Sequence, residues 1–273
     1  MQNLDLDALG AILRDAAHVE IMPRWRRLTP EMIRSKSNPS DLVTEADEAA
    51  ERLIRVGVAR LMPDAVFIGE ESVAADPALL DQVATADLAV IVDPVDGTGN
   101  FAAGLPLFAV MAAVVRKGET IGGIIYDPFA DDFVMAERGG GTFVKRPDGT
   151  AERVHAAGPS RLAEMLGAAS MAYLPREQRA AIYPNLAKLR IATSYRCAGH
   201  EYRIFASGHL DFLFHSKLMP WDHLPGTLLA SEAGAYVARL DGSPYRPGQL
   251  DGNLLIAADP DSWHLLHREV FTL

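Results

Sequence analysis

The sequence carries its strongest structural signal in one stretch, Ile91-Val92-Asp93-Pro94-Val95-Asp96-Gly97-Thr98-Gly99-Asn100-Phe101. Residues 88–92 form an apolar run with β-branched side chains, which predicts a buried strand. Pro94 lacks a backbone N–H group and has a fixed φ, so we expect the regular strand to stop before it. The pair Asp96-Gly97 is typical of a turn, and a glycine lets the backbone approach a ligand closely. We therefore predict two carboxylates on a rigid corner at a strand end.

This corner offers both kinds of ligand that phosphoryl transfer requires. The carboxylates of Asp93 and Asp96 can hold a hard cation such as Mg²⁺. We expect the backbone N–H groups of Gly97 and Thr98 to be free to hold phosphate oxygens. A bound cation and a phosphate grip together support phosphoryl transfer. The alternative is a plain strand-turn in which these residues serve only the turn, and a short motif alone leaves that alternative open.

Two other acidic segments lie at comparable places in the chain. Gly69-Glu70-Glu71-Ser72 follows a predicted strand over 65–68, so its acids stand at a strand end. Trp221-Asp222-His223-Leu224-Pro225-Gly226 precedes a predicted helix over 224–233. Asp222 there has two interpretations, a helix N-cap or a further acid of the site. Adjacent acids on a loop are usually solvated, so the placement at strand ends is what favours a shared site.

A third segment, Lys36 to Asp47, contributes a basic and an acidic candidate. Lys36 lies in a polar stretch over 35–40 that predicts a loop, where a lysine is usually an exposed surface residue. Thr44 and Asp47 form a T-x-x-D capping box before a predicted helix that stops by Pro63. Asp47 can cap that helix and also point into the site, because a helix N-terminus is already an anion site.

Taken together, these four segments resemble the signatures of the inositol monophosphatase family of Mg²⁺-dependent, Li⁺-sensitive sugar and nucleotide phosphatases. The matches follow the family's order and cover nearly the whole chain. The resemblance implies an α+β fold, a layered α-β-α-β-α sandwich of the inositol monophosphatase and fructose-1,6-bisphosphatase type, with the site between the two halves. It also implies a phosphoric monoester hydrolase, and we expect a homodimer.

The resemblance assigns roles to individual residues. Glu70, Asp93, Asp96, Asp222 and the Val95 carbonyl can supply about two or three Mg²⁺ sites. Glu70 and Thr98, with Asp47 assisting, are implied to orient and activate the attacking water, so no covalent phosphoenzyme is expected. The N–H groups of Gly97 and Thr98 would grip the phosphate, and Lys36 would lie on a mobile loop near the site. The implied substrate-binding set is Gly97, Thr98, Gly199, His200, Glu201 and Asp222.

Substrate identity is the open part of this interpretation. The family often has Gly-Thr-Ala where this chain has Gly199-His200-Glu201, and a Glu where it has His215. Those positions touch the alcohol part of the substrate in the family. Inositol monophosphate is the first candidate, and histidinol phosphate, 3′(2′),5′-bisphosphonucleosides and fructose 1,6-bisphosphate are substrates of relatives. The bland alternative for His200 and Glu201 is the start of a helix over 201–207, where the dipole favours an acid.

Two hypotheses from other classes stand beside the phosphatase. A non-catalytic regulatory binding protein could keep the fold, since fold does not imply function. A histidine-based metal centre is conceivable, because four histidines fall between positions 200 and 223, but they lack metalloprotease-type spacing. The clustered acids favour the enzyme over both.

Composition bounds the setting of the protein. The chain has 273 residues, enough for one large domain or two modest ones. Its single cysteine, Cys197, excludes an internal disulfide and a cysteine metal cluster. The net charge of −10 argues against binding to nucleic acid or anionic membranes, so local cations must reverse the field at a phosphate site. No apolar run is long enough for a membrane span and the N-terminus is not a secretory signal, so we expect a cytoplasmic protein.

The order of predicted elements suggests two halves. Two helices, over 4–19 and from Thr44 onward, precede a run of mostly antiparallel strands, and the turn at 147–150 predicts a boundary. We expect residues 1–148 to form an N-terminal α+β half that binds metal and phosphate. Residues 149–273 should form an α/β half on the substrate side, with alternating strands and helices.

Overall fold

The computed structural model describes residues 4–36 and 42–273 of the chain. Its helices are α1 Leu6–Ala16, α2 Glu45–Leu61, α3 Glu70–Ala75, α4 Gln82–Thr85, α5 Thr98–Ala102, α6 Arg176–Leu186, α7 Ala198–Ala206, α8 Pro220–Glu232 and α9 Pro260–Glu269. Its strands are β1 Ile33–Ser35, β2 Leu42–Thr44, β3 Val66–Gly69, β4 Ala89–Asp96, β5 Ala109–Arg116, β6 Glu119–Asp127, β7 Asp132–Glu137, β8 Gly141–Lys145, β9 Ala151–Val154, β10 Leu166–Ser170, β11 Ile191–Thr193, β12 Phe212–His215, β13 Tyr236–Arg239 and β14 Leu254–Ala257. Most of the predicted loop over 35–40 lies outside the described residues.

Two large sheets carry the fold. The first has seven strands in the order β3 to β9, and all neighbours are antiparallel except β3 and β4. The second has five strands in the order β11-β10-β12-β14-β13. Within it, β10 runs parallel to both β11 and β12, so the carboxyl ends of these three strands share one edge.

Helices fill the space outside and between the sheets. Helices α1 and α2 bury apolar side chains such as Leu13 and Ile54 against one face of the seven-stranded sheet. Helices α7 and α8 lie between the two sheets, and α6 and α9 cover the outer face of the five-stranded sheet. The predicted α-β-α-β-α layering is confirmed, because each sheet buries both faces against helices.

The predicted boundary at 148 does not coincide with a change of sheet. The turn at 147–150 joins β8 to β9, which pair with each other in the seven-stranded sheet. The chain enters the second sheet only between Val154 and Leu166. The division into halves 1–148 and 149–273 therefore stays a prediction, and α8 packs on strands of the first sheet as well as the second.

Three element boundaries differ from expectation near the predicted site. Strand β4 continues through Pro94 to Asp96. Its pairing with β5 shifts register between Asp93 and Asp96, where Pro94 has no N–H group to donate. Helix α8 starts four residues before the predicted helix, because Pro220 occupies its first turn, where a missing N–H group costs nothing. Helix α3 starts at Glu70, so the two adjacent acids lie on a helix rather than a loop.

In the part of the chain that is described, no helix is both long and apolar enough to cross a membrane.

Candidate active site

Three aspartates from two elements form the centre of the site. Asp93 and Asp96 lie on the irregular end of β4, and Asp222 lies in the first turn of α8. Each offers a carboxylate oxygen, and these oxygens lie within 4.8 Å of one another. Asp222 is the third residue of α8. It is therefore not the N-cap of that helix, which is Met219. The start of α8 at Pro220 turns Asp222 towards the end of β4.

The electrostatics of these acids are unfavourable without a cation. Burial raises the pKa of Asp93 well above its usual value, and the charges of Glu70, Asp222 and Asp96 raise it further. Burial likewise raises the pKa of Asp222 to about 8, with Asp96 and Glu70 adding to the shift. A group of buried carboxylates must be protonated or matched by positive charge.

Asp96 is held by the start of α7 from the second half of the chain. Its Oδ2 accepts hydrogen bonds from the Gly199 N–H at 2.5 Å and the Cys197 thiol at 3.0 Å, and its Oδ1 accepts from the Ala198 N–H at 3.2 Å. Asp96 therefore caps α7, because it satisfies N–H groups that the helix itself leaves unpaired. Burial raises the pKa of Asp96, and these three donors oppose the shift. Sequence reasoning missed Cys197 and Ala198, since their contact spans about one hundred residues.

Asp47 links the start of α2 to the phosphate turn. Its Oδ2 accepts from the Thr44 N–H at 2.9 Å, which confirms the predicted capping box. Its Oδ1 lies 3.2 Å from the Thr98 hydroxyl, which is also 3.0 Å from the Val95 carbonyl. Asp47 thus caps α2 and also contacts Thr98, while its role in assisting the attacking water stays a prediction. Burial raises its pKa to about 7, with Glu70 contributing.

Lys36 neutralises the acids at the start of α3. Its Nζ lies 2.8 Å from Glu70 Oε1 and 2.6 Å from Glu71 Oε1. Burial opposes the charge on Lys36, but the two carboxylates outweigh it and raise the lysine pKa. Burial and the Glu70 charge raise the pKa of Glu71 to about 8. Lys36 is thus a site neighbour rather than a free surface lysine, whereas Glu70 is outside the three-aspartate group and its role as a ligand stays a prediction.

The turn after β4 requires a glycine. Gly97 has φ of +87°, and a Cβ there would lie 2.9 Å from the Leu107 carbonyl oxygen. A side chain would therefore be strained and would collide. Helix α5 begins at the next residue, Thr98, so the first N–H groups of that helix have no partners within it. The predicted phosphate grip by Gly97 and Thr98 is compatible with this geometry and stays a prediction.

The predicted substrate residues His200 and Glu201 are buried in the first turn of α7. His200 Nε2 lies 3.2 Å from the Phe108 carbonyl oxygen. Glu201 is fully buried, and its Oε1 accepts from the Tyr195 N–H at 2.9 Å. Both side chains thus engage the protein's own backbone, so their substrate role stays a prediction. Gly199 contacts Asp96 through its N–H group.

A buried polar cluster lies beside Glu201. His215 Nδ1 is 3.8 Å from Glu201 Oε2, and the His215 ring lies 4.6 Å from that of His223. Both ring nitrogens of His223 are engaged, one with Tyr202 and one with the Lys217 carbonyl. Burial lowers the pKa values of both histidines, that of His223 to about 4. Among the described residues, the one metal-type group consists of carboxylates alone, so the histidine-centre alternative finds no geometric support there.

The donor set of the aspartate group fits a hard divalent cation. All three side chains offer oxygen, which suits Mg²⁺ better than softer metals that prefer nitrogen or sulfur. Burial and neighbouring carboxylates raise the pKa values of Asp93 and Asp222. A bound cation would therefore stabilise the ionised form of several acids at once. Asp93, Asp96 and Asp222 would hold such an ion, with the Val95 carbonyl and Glu70 as neighbouring oxygens.

Comparisons with known proteins agree with this geometry. The model of the inositol monophosphatase family matches residues 6–270. The inositol-1-monophosphatase of Mesorhizobium japonicum is 31% identical over 229 residues, 82% of this chain and 81% of that protein. The fructose-1,6-bisphosphatase/inositol-1-monophosphatase of Thermotoga maritima is 28% identical over 243 residues, 87% of this chain and 85% of that protein. The crystal structure of extragenic suppressor protein suhB from Bartonella henselae superimposes with a TM-score of 0.82 at 26% identity, covering 97% of each chain. The chain therefore belongs to the inositol monophosphatase family and is a phosphatase of that family.

Proposed function

We propose that the protein hydrolyses the phosphate monoester of a small hydroxylated metabolite with Mg²⁺ bound at the aspartate group, and that inositol monophosphate is its first candidate substrate. The observation that carries the proposal is the meeting of Asp93, Asp96 and Asp222 beside the Gly97–Thr98 turn. Buried carboxylates that repel one another are a costly arrangement unless cations balance them. Bound Mg²⁺ ions would lower the pKa of a water and stabilise the charge on the leaving oxygen.

The chain's own residues supply positioning. The Thr98 hydroxyl has one proton, which the Asp47 carboxylate and the Val95 carbonyl can accept, so its lone pairs remain available to a water. Because the pKa of Asp47 is about 7, this carboxyl can exchange a proton near neutral pH. Gly97 and Thr98 N–H groups face the developing charge of the phosphoryl group. Water attacks directly, and no side-chain phosphoester is formed.

Three further expectations rest on the family resemblance or on the composition of the sequence rather than on geometry. Li⁺ should inhibit at millimolar concentrations by occupying a cation site during turnover. The protein should act in the cytoplasm, and it should be a homodimer. An enzyme that is active with Mg²⁺ but indifferent to Li⁺ would place it outside the Li⁺-sensitive branch.

The test is Mg²⁺-dependent phosphate release over about a dozen phosphorylated metabolites, which include inositol monophosphate, histidinol phosphate, a 3′,5′-bisphosphonucleoside and fructose 1,6-bisphosphate. The names of the relatives support both the inositol and the fructose ester. Release from at least one ester that stops on chelation supports the proposal. No release from any ester at saturating Mg²⁺ would favour the regulatory binding protein instead.

A further inference from the structure

A buried glutamate of α2, Glu51, lies directly behind the acids at the start of α3. Helix α2 carries Asp47 and Glu51 four residues apart, so both side chains lie on the same face of the helix. Asp47 contacts Thr98 of the phosphate turn, and Glu51 contacts the start of α3. One face of α2 thus joins the phosphate turn to the segment that carries Glu70.

The Glu51 carboxylate serves as the cap of α3. The N-cap residue of this helix is Gly69, which has no side chain to accept a hydrogen bond. Glu51 Oε2 accepts instead from the N–H group of Glu71, the second residue of the helix, at 2.7 Å. Glu51 Oε1 accepts from the hydroxyl of Ser72, the third residue. An N-cap side chain normally binds the N–H group at one of these two positions, so a side chain from another helix takes over that role here.

The glycine at the start of α3 leaves the space that this carboxylate occupies. Gly69 has φ of −104°, which any residue can adopt, so its backbone does not require a glycine. A Cβ there would collide with the Glu51 carboxylate. Arg55 offsets the buried charge, because its Nη2 lies 3.6 Å from Glu51 Oε1 and also donates to the Ser72 hydroxyl. Glu51 is therefore seated in a fitted and hydrogen-bonded position.

Glu70 is the first residue of the helix that Glu51 caps. Its carboxylate binds Lys36 at 2.8 Å. Burial raises the pKa values of Asp93 and Asp47, and the charge of Glu70 raises them further, so Glu70 lies close enough to act on both. Helix α3 has only six residues, too few to be stable through its own hydrogen bonds. The direction in which Glu70 points thus depends on what holds the start of α3.

We propose that Glu51 is a positioning residue, which holds Glu70 in place for Mg²⁺ binding beside the aspartate group. This inference rests on the proposed function, and it assigns a role to a residue outside both the three aspartates and the phosphate turn. Mg²⁺ demands nearly ideal octahedral geometry, so a small displacement of one oxygen weakens its binding. Without Glu51 the first turn of α3 loses its acceptor, and Glu70 loses its fixed direction.

The experiment measures the Mg²⁺ dissociation constant of the substrate-free protein, from the rise of the melting temperature with Mg²⁺ concentration. Glu51→Ala removes the carboxylate, and Glu51→Gln keeps its volume and one acceptor. Gly69→Ala displaces the same carboxylate from the other side. Each variant is made alone and together with Glu70→Gln, which shows whether the effect passes through Glu70.

The matched control is Glu232→Ala. The Glu232 carboxylate also accepts from two backbone N–H groups, those of Gly139 and Gly141, at 2.8 and 2.9 Å. Glu232 is the last residue of α8 and lies at the opposite end of that helix from Asp222. This control reports the effect of losing a carboxylate that binds backbone N–H groups away from the site.

We expect Glu51→Ala to raise the Mg²⁺ dissociation constant about tenfold to a hundredfold, the range for removing a group that orients a metal ligand. Gly69→Ala should raise it as well, and Glu51→Gln should have an intermediate effect. In the Glu70→Gln background, Glu51→Ala should add less than about twofold, because the residue through which it acts is already changed. Glu232→Ala should have the wild-type dissociation constant even where its melting temperature falls.

Two results would overturn the inference. An unchanged Mg²⁺ dissociation constant in Glu51→Ala would show that the site does not depend on this carboxylate. An equal loss with and without Glu70→Gln would show that Glu51 acts on the fold and not through Glu70. Glu51→Gln and Gly69→Ala decide the same two points if Glu51→Ala does not fold. A wild-type protein that binds no Mg²⁺ is distinguishable from both results, because it rejects the proposed function itself.

Discussion

Two regions meet at the site, and they differ in the sign and in the burial of their charged groups. The aspartate group is buried, and its carboxylates are so close that their pKa values rise. The carboxyl edge of β10, β11 and β12 is partly exposed, and it carries the hydroxyls of Ser170 and Ser194 and the exposed side chain of Arg196. Under the proposed function, bound cations would balance the first region, whereas no comparable group of acids lies at the second among the described residues. We therefore expect the reaction rate and the choice of substrate to depend on different parts of this molecule.

The two regions also differ in how they are assembled. Asp93 and Asp96 belong to one continuous segment whose geometry Pro94 and Gly97 constrain locally. The edge is assembled from three loops that only the parallel strands bring together. We therefore expect substitutions in the first region to change the rate for every substrate, and substitutions in the second to change the ranking among substrates.

The largest expected effect comes from Asp93→Asn. The change keeps the size of the side chain but removes a charge that a hard cation needs, so phosphate release at saturating Mg²⁺ should fall by about a hundredfold or more. Asp211→Asn is the control, because Asp211 is a hydrogen-bonded aspartate at the start of β12. Near-normal turnover in Asp93→Asn would contradict the metal assignment.

Cation binding should also be visible without turnover. Mg²⁺ that binds only the folded protein stabilises it by about 2.7 kcal/mol at a hundredfold excess over Kd. We expect a higher melting temperature on adding Mg²⁺ to the chelated wild type, and a much smaller rise in Asp93→Asn. An equal rise in both proteins would place the bound cation elsewhere.

The next largest effect concerns the pH dependence of stability and comes from Glu201, a buried residue of α7. Burial raises the pKa of Glu201 from 4.5 to about 8, so the folded protein keeps a proton there that the unfolded chain releases. Stability from this group is therefore full below about pH 4.5 and is lost as pH rises through 8. Glu201→Gln should flatten this dependence. Relative to the wild type, the free energy of unfolding of this variant should rise by about 1–2 kcal/mol as the pH goes from 6.5 to 8.

Urea unfolding at several pH values measures this difference. The window begins at pH 6.5 because the pKa of His215 is lowered from that value by burial, so its own contribution arises only at lower pH. Glu177→Gln, an exposed change on α6, is the control. A pH slope in Glu201→Gln as steep as that of the wild type would rule out protonation of Glu201.

The smallest effect concerns the thiol that contacts Asp96. Cys197→Ala removes one of three donors to this carboxylate, so the Mg²⁺ concentration for half-maximal activity should rise about fivefold, the value of one hydrogen bond. Cys197→Ser keeps a donor and should stay within about twofold of wild type. If serine behaves like alanine, the thiol acts through packing and not through its hydrogen bond.

Much of this molecule could be read from local patterns. The strand predicted over 65–68 differs from β3 by one residue at each end, because a short apolar run that ends at a turn leaves few alternatives. The Thr44 capping box was predicted for the same reason, since its hydrogen bonds join residues three apart. The layered fold followed from the family resemblance and is confirmed.

Boundaries at prolines were less predictable. A proline lacks a donor wherever it stands, but its cost depends on whether the neighbouring chain would have used that donor. Pro94 sits in a strand at an irregular step of the ladder, and Pro220 sits in a helix's first turn. Pro225 lies inside α8, where the sequence alone placed it near the helix start.

The sequence by itself determined which residues carry charge at strand ends, because Asp93, Asp96 and Gly97 are adjacent and constrain one another. Only the tertiary structure decided what faces them. It brought Asp222 to the two aspartates, Cys197 and Ala198 to Asp96, and Arg196 to Gly99. Those contacts join residues that are far apart in the chain. Their geometry depends on how two sheets pack across α7 and α8, and no local pattern encodes that packing.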